Sequence, residues 1–205
     1  MNKYILCKKD DITLKSEYGE IAKYEYDEKK SKFISYVFNI NSKEEAINYL
    51  DLIKKNHYSA KHIVYLYSVI EDDKEILKFS DDGEPQGTGT KAIRDMLDKE
   101  NVTNILVVVI RYFGGILLGS GPLARAYLTS FKGAFLDTYK KEMIKYKELN
   151  ICIDYDKYNL KINYINEMIN NESIILTNKI FDDKVTLLVK INENYYDIIK
   201  NKLEE

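Results

Sequence analysis

The stretch that decides the fold is Ile105-Leu106-Val107-Val108-Val109-Ile110-Arg111-Tyr112-Phe113-Gly114-Gly115. Its first six residues are apolar and mostly β-branched, which is the pattern of a strand covered on both faces. The apolar run ends abruptly at Arg111, and a glycine pair follows. The sequence therefore predicts a buried central strand over 105–110 that opens into a turn.

A helix is expected after this strand. Gly119-Ser120-Gly121 forms a second glycine-rich turn, Pro122 stands where a first helical residue is favoured, and Leu123 to Leu136 continues with helical spacing. Free amides at a helix start can receive an anion, although the residue order is that of neither a P-loop nor a dinucleotide fingerprint. Two interpretations stay open: the segment is a binding edge, or its glycines only supply turns while Arg111 pairs with an acidic loop.

Alternating apolar patterns upstream predict two hairpins and two helices. The hairpin strands are expected over 20–26 with 31–40 and over 62–70 with 75–79. The first helix is expected over 43–56, with Ser42 as its N-cap and Glu45 three residues on. A second helix is expected over 91–99, with Thr88 or Thr90 as its cap.

The C-terminal part predicts a separate small domain. Its expected elements are strand 148–155, helix 157–170, strands 173–181 and 184–192, and helix 193–203. This βαββα order is that of a ferredoxin-like half, with Asp182-Asp183 as a hairpin turn, and a charged connection from Lys140 precedes it. The chain is thus predicted to be a two-domain α+β protein, with domains 1–138 and 139–205.

Composition narrows the function classes. The 31 basic and 33 acidic residues give a net charge of -2, which argues against nucleic-acid binding through bulk charge but leaves a local basic face possible. Cys7 and Cys152 form no Cys-x-x-Cys pair, so neither a disulfide framework nor a zinc site is encoded. No segment resembles a signal peptide or a membrane span, and we expect a cytoplasmic protein with no membrane partner.

An acidic loop contains the next candidate site residues. Ser80-Asp81-Asp82-Gly83-Glu84 places three carboxylates beside a glycine-rich segment that leads into a helix. Clustered carboxylates can hold a hard cation, but the spacing of a calcium loop and a partner histidine are both missing. We therefore predict no metal, and interpret the loop as an acidic turn that caps the hairpin and the helix.

Catalytic chemistry is weakly indicated. His57 and His62 are the two histidines of the chain, and neither stands near a recognisable nucleophile motif. His62, at a strand start, is more typical of a packing residue than of a general base. We expect no cofactor; the sequence leaves catalysis open and favours a protein that is not an enzyme.

Two motifs resemble a known family. Ser-Asp-Asp-Gly-Glu-Pro at 80–85 and Arg-Tyr-Phe-Gly-Gly at 111–115 are similar to the hallmarks of the YigZ/IMPACT family. Further matches, which together cover most of 18–138, are Lys30 to Ile34, Ala60, His62, Gly119 and Leu123 to Tyr127. The chain departs from the family pattern at Gly89-Thr90 and at Pro122. The C-terminal part is similar to the small domain of bacterial members by periodicity rather than by a motif.

The resemblance implies a fold and a field of function. It implies an N-terminal domain similar to the second domain of small-subunit ribosomal protein five, and a C-terminal domain similar to the last domain of elongation factor G. It also implies a translation-associated regulator or binding protein that acts on the ribosome, RNA or a translation-factor partner. The alternative is an enzyme or sensor for a small phosphate-containing anion at the Arg111 glycine edge. The oligomeric state stays open.

The predicted binding residues follow from the two motifs and their neighbours. They are His62, Ser80, Asp81, Asp82, Gly83, Glu84, Arg111, Tyr112, Phe113, Gly114, Gly115, Gly119, Gly121 and Arg125.

Overall fold

The computed structural model describes residues 2–9 and 16–204, and the chain divides into two compact units after Met143. The boundary predicted from the sequence lies slightly before this division. The first unit contains β1 (Tyr4–Lys8), β2 (Ala22–Glu28), β3 (Ser31–Asn39), α1 (Lys43–Asn56), β4 (His62–Glu71), β5 (Lys74–Ser80), α2 (Lys91–Glu100), β6 (Ile105–Tyr112), α3 (Ser120–Leu136) and β7 (Thr138–Glu142). No helix in the described part of the chain is both long and apolar enough to cross a membrane.

Five strands of the first unit form an antiparallel sheet in the order β2-β3-β6-β4-β5. The odd-numbered residues of β6 from Ile105 to Val109 pack with α2 and α3, whereas the even-numbered residues from Leu106 to Ile110 pack with α1. Each fully buried aliphatic side chain contributes roughly 1.5–3 kcal/mol to the free energy of folding, relative to an exposed side chain. The prediction that this strand is covered on both faces is confirmed.

Both predicted hairpins end in two-residue turns. Lys29 and Lys30 have φ values of 45° and 66°, and Asp72 and Asp73 have values of 48° and 58°. Two consecutive residues in the left-handed region form a type I′ turn, whose twist matches that of the flanking strands. The charged residues between the apolar runs are therefore the turns, as the sequence predicts.

The first helix has the predicted bounds, 43–56. The Ser42 hydroxyl accepts a hydrogen bond from the Glu45 N–H at 3.1 Å, and the Glu45 carboxylate accepts one from the Asn41 N–H at 2.7 Å. This arrangement satisfies amides at the helix start that have no partner within the helix.

Two predicted boundaries are wrong. β6 continues through Arg111 to Tyr112, because β3 and β4 pair with it to that point. The helix α3 begins at Ser120, with Gly119 at the N-cap, so Pro122 is its third residue rather than its first. Proline is tolerated there because the first amides of a helix have no intrahelical acceptor.

A two-stranded sheet formed by β1 and β7 was not predicted. Lys140, Lys141 and Glu142, which the sequence suggests are a charged connection, lie in β7 and pair with residues 4–6 of β1. Four of the five β7 side chains are exposed, so the strand carries no apolar alternation that would reveal it. The charged segment is thus part of the folded first unit.

The second unit contains β8 (Tyr146–Ile153), α4 (Tyr155–Asn170), β9 (Ile174–Phe181), β10 (Val185–Asn192), a short 3₁₀ helix (Glu193–Tyr195) and α5 (Tyr196–Glu204). Its antiparallel sheet has the order β8-β10-β9. Alternate β10 residues from Val185 to Ile191 are buried in a core with residues of α4 and α5. The predicted βαββα order and the α+β class are confirmed, while the likenesses to the ribosomal protein and the elongation factor stay predictions.

Candidate functional site

The candidate site lies at the end of β6, where three strands and a loop meet. Arg111 lies opposite Phe33 of β3 and opposite His62 of β4. The loop over 81–90 and the helix α3 contribute side chains to the same face. Because side chains alternate along a strand, Arg111 points toward α3 and Tyr112 points toward α1.

Arg111 is buried and paired rather than exposed. Its Nη1 donates to the Glu84 carboxylate at 2.6 Å, and both side chains are only 5% exposed. The rings of Phe33 and Phe113 have their centres 5.6 and 5.5 Å from the guanidinium carbon. The two charges therefore neutralise each other, as the turn-only interpretation requires, and the free positive charge that the binding-edge interpretation places at Arg111 is absent.

Glu84 gathers further donors. The Tyr127 hydroxyl donates to the same carboxylate oxygen at 2.8 Å, and Nε2 of His62 lies 3.8 Å from it. Burial, and then the Glu84 charge, raise the pKa of Tyr127, so its hydroxyl stays a donor. Nε of Arg111 is buried without a hydrogen-bond partner among the described residues.

His62 and Asp82 attach the acidic loop to the start of β4. Nδ1 of His62 donates to the Asp82 backbone carbonyl at 2.7 Å, since a carbonyl oxygen can only accept. The Asp82 carboxylate accepts the Ile63 N–H at 2.6 Å, and the Asp82 N–H donates to the Ser80 hydroxyl at 3.1 Å. Gly83 follows with a φ of 82°, a conformation that glycine adopts without strain.

Asp81 organises the other half of the loop. Its carboxylate accepts the backbone N–H groups of Gly87, Gly89 and Thr90 at 2.6 to 2.9 Å, together with the Thr90 hydroxyl at 3.1 Å. Thr90 stands at the N-cap of α2, as one of the two predicted positions, but its side chain makes no capping hydrogen bond. Asp81 instead receives the amide at the helix start.

The three carboxylates therefore face different partners. Asp81 binds loop amides, Asp82 binds the start of β4, and Glu84 binds Arg111 and Tyr127. Across residues 2–9 and 16–204, no group of three or more His, Cys, Asp or Glu side chains is placed to hold a metal ion. The arrangement is that of an acidic turn that ties a hairpin to a helix.

The glycines after β6 differ in how strictly the structure requires glycine at their positions. A Cβ atom on Gly114 would lie 1.8 Å from the Lys30 carbonyl oxygen, and Gly115 has a φ of 86°. A Cβ atom on Gly119 would have its nearest neighbour 3.9 Å away, and one on Gly121 would have no neighbour within 4 Å. Close packing therefore dictates Gly114, and backbone conformation favours glycine at position 115.

The segment 113–119, which we call the β6–α3 loop, displays apolar side chains to solvent. Phe113 is 43%, Ile116 41% and Leu117 84% exposed, while Leu118 is buried and anchors the loop. Arg125, in the second turn of α3, is exposed and forms no ion pair with any described residue. Ile116 and Leu117 were not among the predicted site residues, because an apolar residue in a sequence is expected to be in a core.

Tyr112 is not brought to the same place as the other predicted residues. Its hydroxyl lies 2.8 Å from Nδ1 of His57, at the end of α1, and Nε2 of His57 lies 3.3 Å from the Tyr36 hydroxyl. Burial lowers the pKa of His57. Tyr112 thus belongs to a second cluster on the opposite face of the sheet.

Tyr127 is a site residue that was not predicted from the sequence. Tyr127 lies within the segment that matches the family, but its helical spacing with Leu123 gives it the pattern of an ordinary core residue. Only the fold shows that its hydroxyl meets Glu84.

Comparison of the sequence with known protein families identifies the family to which the chain belongs. The family described as the Impact N-terminal domain matches residues 29–135. An IMPACT family member of Haemophilus influenzae is 31% identical over 185 residues, which cover 89% of this chain and 87% of that protein. The chain belongs to the IMPACT family.

Other relatives match mainly the first unit. The IMPACT family member YvyE of Bacillus subtilis is 40% identical over 108 residues, covering 53% of this chain and 49% of that protein. YigZ of Escherichia coli is 41% identical over 100 residues, covering 48% and 49%. In these two matches the chain spans about half the length of the relative.

Two solved structures match this chain to different degrees. A crystal structure of a hypothetical protein has a TM-score of 0.66 and 25% identity, and the match covers 99% of this chain and 92% of that one. The two-domain translational regulator Yih1 has a TM-score of 0.42 and 21% identity over 63% of this chain and 51% of its own, which is too low to support an argument about function.

Proposed function

We propose that this protein is a translation-associated regulator that works by binding the ribosome or a ribosome-associated partner rather than by catalysis. Membership in the IMPACT family supports this proposal, because the resemblance implies translation as the field of function. The partner would dock on the β6–α3 loop and on the exposed side of α3 at Arg125.

The observation that carries the proposal is the exposure of Leu117, of which 84% is open to solvent, in a loop that also contains half-exposed Phe113 and Ile116. Gly114 packs tightly on Lys30 at one end of the loop, and Leu118 is buried at the other. A loop fixed at both ends loses little conformational entropy on binding, so its apolar side chains are suitable anchors.

Two exposed lysines contact the backbone at the end of β6 and the start of the loop. Lys30 contacts Gly114 through its carbonyl group, the Lys61 N–H donates to the Arg111 carbonyl at 2.9 Å, and both lysines are exposed. Together with exposed Arg125, their positive charges would favour acidic side chains or phosphates on the partner. The loop would thus supply affinity, and these charges would steer the approach of the partner.

The small-anion alternative is less well supported. It relies on Arg111 as the anion receptor, whereas the Arg111 charge is already balanced by Glu84 at 2.6 Å in a buried pair. A ligand that displaced Glu84 would leave a carboxylate buried beside it without its partner, which is costly.

Co-sedimentation with ribosomes tests the proposal. Wild-type protein should pellet with ribosomes, and Leu117→Asp combined with Arg125→Glu should weaken binding roughly tenfold or more. Leu136→Asp is the matched control: Leu136 is 68% exposed at the other end of α3. Circular dichroism and thermal unfolding would establish that all variants are folded.

Two results would count against this function. If wild-type protein stayed in the supernatant at all salt concentrations, ribosome binding would be refuted. If the double variant bound as well as wild type, binding would lie elsewhere and the β6–α3 loop would be refuted as the surface.

A further inference from the structure

The strand β5 forms one edge of the five-stranded sheet. The two-residue turn at 72–73 makes Glu71 and Lys74 a hydrogen-bonded pair, and such pairs alternate along an antiparallel ladder. The backbone N–H and C=O groups of Glu75, Leu77 and Phe79 therefore point away from β4. No described residue accepts from or donates to these outward groups.

Two hydrogen bonds of β4 support this assignment. The N–H of Ile70 donates to the Asn104 side chain on the β6 side at 3.0 Å, and the N–H of Ile63 donates to Asp82 on the β5 side at 2.6 Å. Even-numbered residues of β4 thus face β6 and odd-numbered ones face β5, as the register requires.

A cavity of about 170 Å³ lies between this edge and α2. It is lined by Leu66, Ser68, Glu75, Leu77, Arg94, Leu97, Asp98 and Val102. Leu77 and Phe79 beside it are 43% and 47% exposed. Nε of Arg94 is buried without a hydrogen-bond partner among the described residues, and its guanidinium lies over the Phe79 ring at 5.7 Å.

We propose that β5 and α2 form a groove that binds an extended segment of a partner protein as an added strand. The segment would bond through its backbone to Glu75, Leu77 and Phe79, whose side chains share the face of α2. Its alternate apolar side chains would contact Leu77 and Phe79, and one of them would enter the cavity. This groove is separate from the β6–α3 loop and does not depend on its function.

An isolated segment fits this groove better than a second copy of the chain. An antiparallel two-fold pairing of two β5 edges would place both copies of α2 on one face of the joined sheet. Arg94, Leu97 and Asp98 of α2 already border the edge, so the two helices would compete for the space over the junction. A single extended segment brings no such helix.

Selection of a phage-displayed library of random linear peptides against the full chain tests the groove. Enriched peptides, made synthetically, should alternate apolar residues and shift the amide resonances of Glu75, Leu77 and Phe79. Leu77→Pro should weaken their binding roughly tenfold or more, because it removes an outward N–H and an apolar contact without removing a bond to β4. Leu77→Asp tests the apolar contact alone if the proline variant does not fold.

Asp27→Pro is the matched control. By the same alternation, Asp27 has an outward N–H on the opposite edge strand β2, so this variant should bind the selected peptides as wild type does. The proposal is overturned if no alternating peptide is enriched, or if selected peptides bind folded Leu77→Pro and Leu77→Asp unchanged. It is also overturned if wild type forms a concentration-dependent dimer that Leu77→Pro abolishes, since a second copy would then occupy the edge.

Discussion

Arg111 and Arg125 lie in neighbouring elements of one unit, yet their surroundings are opposite. Arg111 is buried, pairs with Glu84 at 2.6 Å and lies near two aromatic rings. Arg125 is exposed and has no ion-pair partner among the described residues. A charge in the interior stabilises the fold only with its partner, whereas a charge on the surface is available to another molecule.

The same contrast separates the glycines. Gly114 is required by the Lys30 carbonyl, while Gly121 meets no atom within 4 Å. The Arg-Tyr-Phe-Gly-Gly motif is therefore largely a device for closing the end of the sheet. The surface that we propose for binding shares Phe113 with the motif and extends beyond it to Leu117.

The largest expected effect comes from Arg111→Ala. The substitution leaves the Glu84 carboxylate buried without its cation, and we expect it to lower the free energy of unfolding by about 3–5 kcal/mol. Urea denaturation followed by circular dichroism measures this change. A loss below about 1 kcal/mol would indicate that the pair is solvated and weak.

Gly114→Ala should be next. The new Cβ would overlap the Lys30 carbonyl oxygen, so the turn after β6 must shift, at an expected cost of about 2 kcal/mol or more. Gly121→Ala is its control: this helical position is open, and alanine should raise stability by up to about 1 kcal/mol. Equal effects of the two substitutions on the unfolding midpoint would show that the close approach at Gly114 is not limiting.

Tyr127→Phe removes one donor from Glu84 while keeping the ring in the core. Because the acceptor is charged, we expect a loss of roughly 1.5–3 kcal/mol, measured by the same urea titration. Phe131, one turn further along α3, offers a comparison, since Phe131→Leu changes packing without touching Glu84. An unchanged midpoint for Tyr127→Phe would mean that water replaces the hydroxyl.

The smallest effect on stability should come from Arg125→Ala. An exposed residue with no ion pair is expected to change the free energy of unfolding by no more than about 0.5 kcal/mol. Thermal unfolding measures this, and a clearly larger destabilisation would reveal a structural contact of Arg125.

Much of the fold follows from local patterns in the sequence. The apolar run 105–110, the Ser42 cap and the charged hairpin turns each reflect physics acting over a few residues, and each predicts its element correctly. The strand β7 was not predicted because its sequence is polar and its partner, β1, lies more than a hundred residues away in the sequence. Pairing between distant segments leaves no local signal.

The motifs in the sequence indicate candidate site residues but carry no information about how these residues are arranged. The motifs identify Glu84 and Arg111, but only the register of β6 shows that Arg111 points toward α3 and Tyr112 toward the His57 cluster beside α1. The exposure of Leu117 could not be predicted, because an apolar side chain gives no indication that it is left outside the core.

The central claim is that Arg111 acts inside the protein as the partner of Glu84, and a double-mutant cycle tests it most directly. The free energy of unfolding would be measured for wild type, Arg111→Ala, Glu84→Ala and the double variant. We predict that each single substitution costs about 3–5 kcal/mol, and that the double variant costs far less than the sum, since neither charge is then left buried alone. Additive losses within about 0.5 kcal/mol would contradict the account.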